Sequence, residues 1–195
     1  MTGNGFALQP FDFATFAPDK NKMATTAKFR RLIEKVKQKA KIQRRSNKKL
    51  FERFKTDKPK GLDKAFKAVN DEVFAHINCL ECANCCKIAQ PVFEKQDVKR
   101  IARHFSMTEE AFIGKYLKAD PDYEYFTKKL PCTFLGDDNK CTIYEVRPMG
   151  CRTYPPAKLR LSPEQLDVIY ENIGICPAVS EMVDKIKVQF GGGHQ

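Results

Sequence analysis

Eight cysteines carry most of the chemistry open to this sequence, and their spacing sorts them into groups. Cys79, Cys82, Cys85 and Cys86 form a C-x2-C-x2-C-C run; Cys132, Cys141 and Cys151 follow at intervals of eight and nine residues; Cys176 stands alone before Pro177. A C-x2-C spacing suits metal because one tight turn aims both thiolates at one ion. Three cysteines at this spacing also match the start of the bacterial ferredoxin run, whose fourth ligand precedes a proline, as Cys176 does. Side chains of adjacent residues diverge, so Cys85 and Cys86 are expected to serve different sites, or one of them to bridge. Eight thiols suit two four-thiolate sites. The pairing is open, and zinc and an iron–sulfur cluster both fit the count.

Disulfides are the competing use of eight cysteines. They belong to oxidising compartments and to small chains that lack a core. This chain has amphipathic helices and no basic, apolar start; its first twenty residues contain Asp12 and Asp19 instead. Ligation in a reducing cytoplasm is therefore the expectation. Arg147 and Arg152 flank Cys151 and are expected to offset the charge of a thiolate-bound metal, since four thiolates on one Zn²⁺ leave −2; the plainer alternative is pairing with Glu145 or Asp137. His76 lies three residues before Cys79, yet eight thiols already fill two sites, so it reads as a helix-face histidine. His104 and His194 carry no pattern, and no hydrolytic triad can be nominated by spacing. Whether the chain is an enzyme stays open at this point.

Cys132–Leu135 and Cys141–Tyr144 flank a Gly136-Asp137-Asp138-Asn139 turn and read as a small hairpin that brings two thiolates together. The wider segment runs C-x-F-L…C-x-I-Y-x-x-R-P-x-x-C-R-x-x-P through Cys132, Phe134, Leu135, Cys141, Ile143, Tyr144, Arg147, Pro148, Cys151, Arg152 and Pro155. Together with the first cysteine run and the late Cys176, it resembles the YkgJ-type cysteine-cluster family, whose domain is described as zinc- or iron-chelating. The resemblance covers roughly residues 72–190. It departs at Ala83, near where many members carry Gly, and leaves the ligands untouched. The resemblance implies metal binding through the eight cysteines. Because a similar signature occurs in flagellin lysine N-methylases, it also admits a component of a protein-methylating enzyme. No glycine-rich nucleotide loop follows a strand here, so a self-sufficient methyltransferase is not supported.

The elements that must position these thiols are mostly helical. Residues 1–78 hold 19 Lys and Arg against 8 Asp and Glu, while residues 79–195 are balanced at 16 against 16; the formal net charge of +11 therefore sits wholly in the cysteine-free part. Residues 1–22 read as an irregular aromatic arm, with Met23 as a second possible start. Residues 23–71 form a basic helical extension, with Phe29, Leu32, Ile33, Val36 and Ala40 on one face and a break at Ser46-Asn47. Residues 72–190 form the cysteine domain, and 191–195 a flexible tail. Ser106–Glu109 and Ser162–Gln165 carry helix-start signatures, the latter with Pro163 at the first helical position.

The expected fold is mainly α with a short β-hairpin: a small helical domain knit by a metal-bound cysteine cluster and preceded by basic helices. No apolar run approaches the roughly 20 residues of a membrane span. The basic surface of residues 28–60 suits an anionic partner, a nucleic acid or an acidic protein, and a ribosome-associated module is a further alternative.

Overall fold

The computed structural model describes residues 27–121, 125–158 and 160–191. The aromatic arm, the alternative start at Met23, His194 and all of the tail after Gly191 lie outside the described residues. Helices α1 (Ala27–Ile42), α2 (Arg44–Thr56) and α3 (Leu62–Phe74) come first, then two short helices that carry the first cysteine run, α4 (Cys79–Cys82) and α5 (Asn84–Ile88). Strand β1 (Val92–Phe93), helices α6 (Lys95–His104) and α7 (Glu109–Tyr116), and strands β2 (Leu117–Ala119) and β3 (Tyr125–Thr127) follow. The chain then forms α8 (Met149–Thr153), α9 (Pro163–Glu171) and α10 (Pro177–Phe190). The architecture is mainly α, as expected.

The described residues divide into two compact units, residues 27–79 with 155–191, and residues 80–154. The first is all helix. Of the apolar face expected on α1, Phe29, Ile33 and Val36 are buried and Leu32 and Ala40 half-buried; Leu50, Phe51 and Phe54 from α2 and Phe66, Val69 and Val73 from α3 are buried as well. α10 closes this core with Val179, Met182, Val183 and Ile186, packing on α3 and α1 while α2 packs on α9. Polar ties cross the same seams. Lys39 pairs with Asp184, Lys185 with Glu72 at 2.9 Å, and Lys187 Nζ donates to Gln43 Oε1 at 2.6 Å.

The helix break in the basic region falls at Gln43 rather than at Ser46-Asn47. Helical hydrogen bonding continues across it, from Gln43 N–H to the Lys39 carbonyl (2.9 Å) and from Asn47 N–H to the Gln43 carbonyl (2.8 Å), so α1 and α2 form one bent helix. Asn47, which reads as a breaker by propensity, is buried inside α2. Packing overrides propensity there.

The second unit rests on a small aromatic core. Phe93, Val98, Ile101, Ala102, Phe112, Leu117, Phe134 and Ile143 are buried together, with Phe112 and Phe134 stacked at 6.0 Å and an interplanar angle of 11°. The three strands form an antiparallel sheet in the order β1-β3-β2, with Val92 opposite Phe126 and Leu117 opposite Thr127. The helix expected to open at Ser106 begins two residues later. Thr108 is its N-cap, accepting from Ala111 N–H at 3.2 Å, and Ser106 turns the chain with a φ of 53°. At α9 the signature holds as read: the Ser162 hydroxyl accepts from Gln165 N–H (3.3 Å) and the Gln165 side-chain Oε1 accepts from Ser162 N–H (2.9 Å).

Candidate metal centre

The first cysteine run is divided by one residue. α4 ends at Cys82, and Ala83 adopts the left-handed conformation (φ 48°, ψ 15°), which redirects the chain into α5. Cys82 and Ala83 are buried, Cys85 and Cys86 are half-buried, and Cys79 is exposed. An alanine in that region suffers a clash between its Cβ and the following carbonyl that glycine avoids, worth about 1–2 kcal/mol. Ala83→Gly is therefore expected to stabilise the protein by about 1 kcal/mol, read as a rise in the midpoint of denaturant unfolding at unchanged slope. An unchanged or lower midpoint would mean that the extra freedom of the unfolded glycine chain cancels the relief.

Cys132 is tied to the first run through the backbone, its N–H donating to the Cys86 carbonyl at 2.7 Å. From there the expected turn forms, but in reduced form. A single antiparallel bridge joins Leu135 and Cys141, Gly136 N–H meets the Lys140 carbonyl at 2.9 Å, and Thr142 N–H meets the Phe134 carbonyl at 2.8 Å. Phe134 and Ile143 anchor the two arms in the aromatic core, and Cys132 and Cys141 pack against the same core half-buried.

Cys151 lies on α8, whose position is set from α6. The buried Asp97 carboxylate accepts from Met149 N–H at the start of α8 (3.0 Å), from Glu94 N–H (3.2 Å) and from Arg100 (2.6 Å). Arg100 in turn donates to the Arg147 carbonyl at 2.9 Å. The Arg147 guanidinium sits 3.8 Å over the Tyr144 ring and donates to the Tyr144 carbonyl at 2.6 Å. Arg152 donates to the carbonyls of Arg147 (3.0 Å) and Glu145, so it braces the loop through backbone rather than through a carboxylate.

The electrostatics link thiols from three segments of the second unit. Burial pushes the Cys132 thiol up to about 12, with Cys86 and Cys141 adding to the push and the backbone N–H of Phe134 opposing it. Burial likewise raises Cys141, with Cys86 acting in the same direction and Ile143 N–H and Arg147 against it. Enclosure by protein also drives Cys151 well above the ordinary value, with Cys86, Cys132 and Cys141 adding to the push and Arg147 drawing it back. Cys151 keeps considerable solvent exposure as a residue, which softens the first of these effects and leaves their common direction intact. Burial raises Cys82 as well.

Cys86 moves the other way: the Cys85 thiol donates to it across 3.9 Å and favours its thiolate. Cys86, Cys132, Cys141 and Cys151 thus lie in one another's field, with Arg147 acting on the last two.

None of the eight cysteines is in a disulfide. Among the described residues, no three His, Cys, Asp or Glu side chains are grouped closely enough to hold a metal ion as they stand. The donor chemistry of the mutually interacting thiols nevertheless suits zinc or iron, and Arg147 supplies a counter-charge. Cys79 and Cys176 belong to the first unit; Cys176 precedes α10, its N–H bonded to the Asn172 carbonyl at 2.9 Å. His76 pairs with Glu181 at 3.1 Å, and His104 stands edge-on to Phe105.

Two positioning residues escaped sequence reasoning, Asp97 and Arg100. The available signal was an acidic residue three positions after Glu94 at a helix start, which reads as a cap and gives no hint of its long-range partner Met149.

A family signature described as "CxxCxxCC: Putative zinc- or iron-chelating domain" matches residues 78–177, just over half of the chain. The chain belongs to this family. Among curated relatives it is similar to a protein of Methanocaldococcus jannaschii named "Uncharacterized protein MJ0661", 31% identical over 81 residues, which cover 40% of this chain and 43% of that protein. The chain thus spans less than half the length of this relative. No solved structure matches it significantly. Among the described residues, no helix is long and apolar enough to cross a membrane.

Proposed function

We propose that this protein binds its metal through a four-thiolate centre made by Cys86, Cys132, Cys141 and Cys151, with Cys82 and Cys85 beside it. The observation that carries this reading is the 2.7 Å hydrogen bond from Cys132 N–H to the Cys86 carbonyl, which ties the first cysteine run to the segment bearing Cys141 and Cys151; the field these thiols exert on one another agrees with it. Cys86, whose thiolate is favoured, is the first anchor for a cation, and Arg147 offsets part of the negative charge left by four thiolates. A zinc ion there would act as a structural cross-link; an iron–sulfur cluster would add electron transfer. Thiolates of this kind persist in a reducing cytoplasm, where we place the protein.

Anaerobic purification followed by metal and sulfide analysis tests the reading. Zinc with no colour, or iron plus sulfide with broad visible absorption, supports it and identifies the centre. Metal-free protein whose unfolding midpoint is unaffected by added zinc or iron would overturn it. Because Cys132, Cys141 and Cys151 are raised, they carry protons at neutral pH, and a metal must displace them. Adding zinc to metal-free protein in weak buffer at pH 7 is expected to release protons, and affinity is expected to fall as pH falls.

A second reading concerns residues 28–60, to which we assign an anionic partner. It is supported by a cationic face on α1 and α2 that the protein's own carboxylates leave largely unpaired.

A further inference from the structure

We infer that the exposed face of the bent α1–α2 helix binds the phosphate backbone of duplex nucleic acid without reading its bases. This inference rests on the anionic-partner reading of residues 28–60 and deepens it.

Arg30, Arg31, Lys37, Lys41, Arg44 and Arg45 are all exposed. Among the described residues, none of their side chains has a hydrogen-bond or ion-pair partner. Several lysines of the same unit are matched: Lys39 with Asp184, Lys55 with Asp167 at 2.9 Å, Lys58 with Asp63 at 2.6 Å and Lys185 with Glu72. Only Glu34 and Glu52 bring negative charge to α1 and α2, and Glu52 is bound to Lys55 at 2.8 Å. Unmatched charge is thus densest on α1 and α2.

The geometry suits a polyphosphate. Arg30-Arg31 and Arg44-Arg45 lie fourteen positions apart, about four helical turns, which returns both pairs to nearly the same side and separates them by roughly 21 Å. Helical hydrogen bonding continues through the bend at Gln43, so both charged segments are carried on one continuous element. Arginine forks match phosphate oxygens two at a time.

The same face argues against other anionic surfaces. A helix lying on a membrane inserts its apolar side among the lipids, and here Phe29, Ile33, Val36, Leu50, Phe51 and Phe54 are already buried in the protein core. Single-stranded nucleic acid is held by stacking bases on aromatic side chains, and every aromatic residue of α1 and α2 is among those buried. Charge without stacking groups fits a paired, regular backbone.

The test is binding of the full chain to a 20-base-pair RNA duplex and a DNA duplex of the same length, read by fluorescence anisotropy as salt is varied. Poly-glutamate and phosphatidylserine vesicles serve as the other anions. Tight binding to either duplex, with affinity falling steeply and linearly in log salt, is expected; a preference between them identifies the source. A variant with Arg30, Arg31, Arg44 and Arg45 all changed to Gln is expected to lose affinity about tenfold or more, with a salt slope shallower by up to about 3.6. All four positions are exposed, so the fold should survive. The corresponding four-Lys variant keeps the charge and is expected to keep most of the slope. Lys118→Gln with Lys129→Gln, exposed positions in the other unit, should leave binding unchanged. Binding to poly-glutamate or vesicles with none to duplexes would overturn this inference and leave the anionic-partner reading standing; binding to none of them would overturn both.

Discussion

Cys86→Ser is expected to weaken zinc binding by about a hundredfold or more. Structural zinc sites bind with about 10–16 kcal/mol, so one thiolate in four accounts for roughly 2.5–4 kcal/mol, and each 1.4 kcal/mol is about tenfold. Serine preserves the size of the side chain but forms no thiolate at neutral pH. Cys86 is chosen because it is central: its charge acts on Cys82, Cys132, Cys141 and Cys151, and its carbonyl holds Cys132 N–H at 2.7 Å. Competition against a chelator of known affinity reads the effect. His76→Ala, which removes only an exposed contact with Glu181, serves as the control that should leave affinity unchanged. Equal affinity in the Cys86 variant and the parent would place the metal elsewhere.

Asp97→Ala is expected to cost about 2–3 kcal/mol of stability, the range for leaving buried donors without their acceptor, because the Arg100 side chain is 32% exposed and water takes up part of its loss. Asp97 is only 2% exposed and accepts from Arg100, Glu94 N–H and Met149 N–H. Its loss strands two backbone donors and takes the counter-charge from a guanidinium that keeps its bond to the Arg147 carbonyl. Because Met149 opens α8, the variant should also release its metal faster than the parent, through a loosened Cys151. Asp97→Asn keeps an acceptor oxygen without the charge and should fall between the two in both respects. Denaturant unfolding and metal off-rates measure the two effects separately. A variant that loses stability but keeps its off-rate would restrict Asp97 to holding α6.

The parts of this molecule written in local chemistry were legible before the structure. The Ser162-Pro163 start of α9 and most of the apolar face of α1 follow from spacing and propensity. What was not legible depends on contacts distant in sequence. β1, β2 and β3 are two or three residues long, too short for an alternating pattern to declare itself, and their pairing is settled by the sheet as a whole. The hairpin at Leu135 and Cys141 was visible from its turn, but its shrinkage to one bridge reflects the pull of Phe134 and Ile143 into the aromatic core. The relation of Cys132 to Cys86 is fixed by one backbone hydrogen bond across 46 positions of chain, which cysteine counting cannot anticipate. Counting to eight suggested two sites of four; the interactions resolved here centre on Cys86.

The first unit is assembled from both flanks of the chain, and this bears on how the protein can be dissected. The signature ends at Pro177, where α10 begins, and starts after α1, α2 and α3 are complete. A fragment trimmed to residues 78–177 would retain α9 while discarding α2, on which it packs, and would lose Met182, Val183 and Ile186 altogether. Tyr170 would then lose Phe51, whose ring lies 5.7 Å away, and such a fragment should precipitate or pair with itself. Removing residues 80–154 is the cut that respects the first unit, because α1, α2, α3, α9 and α10 all remain.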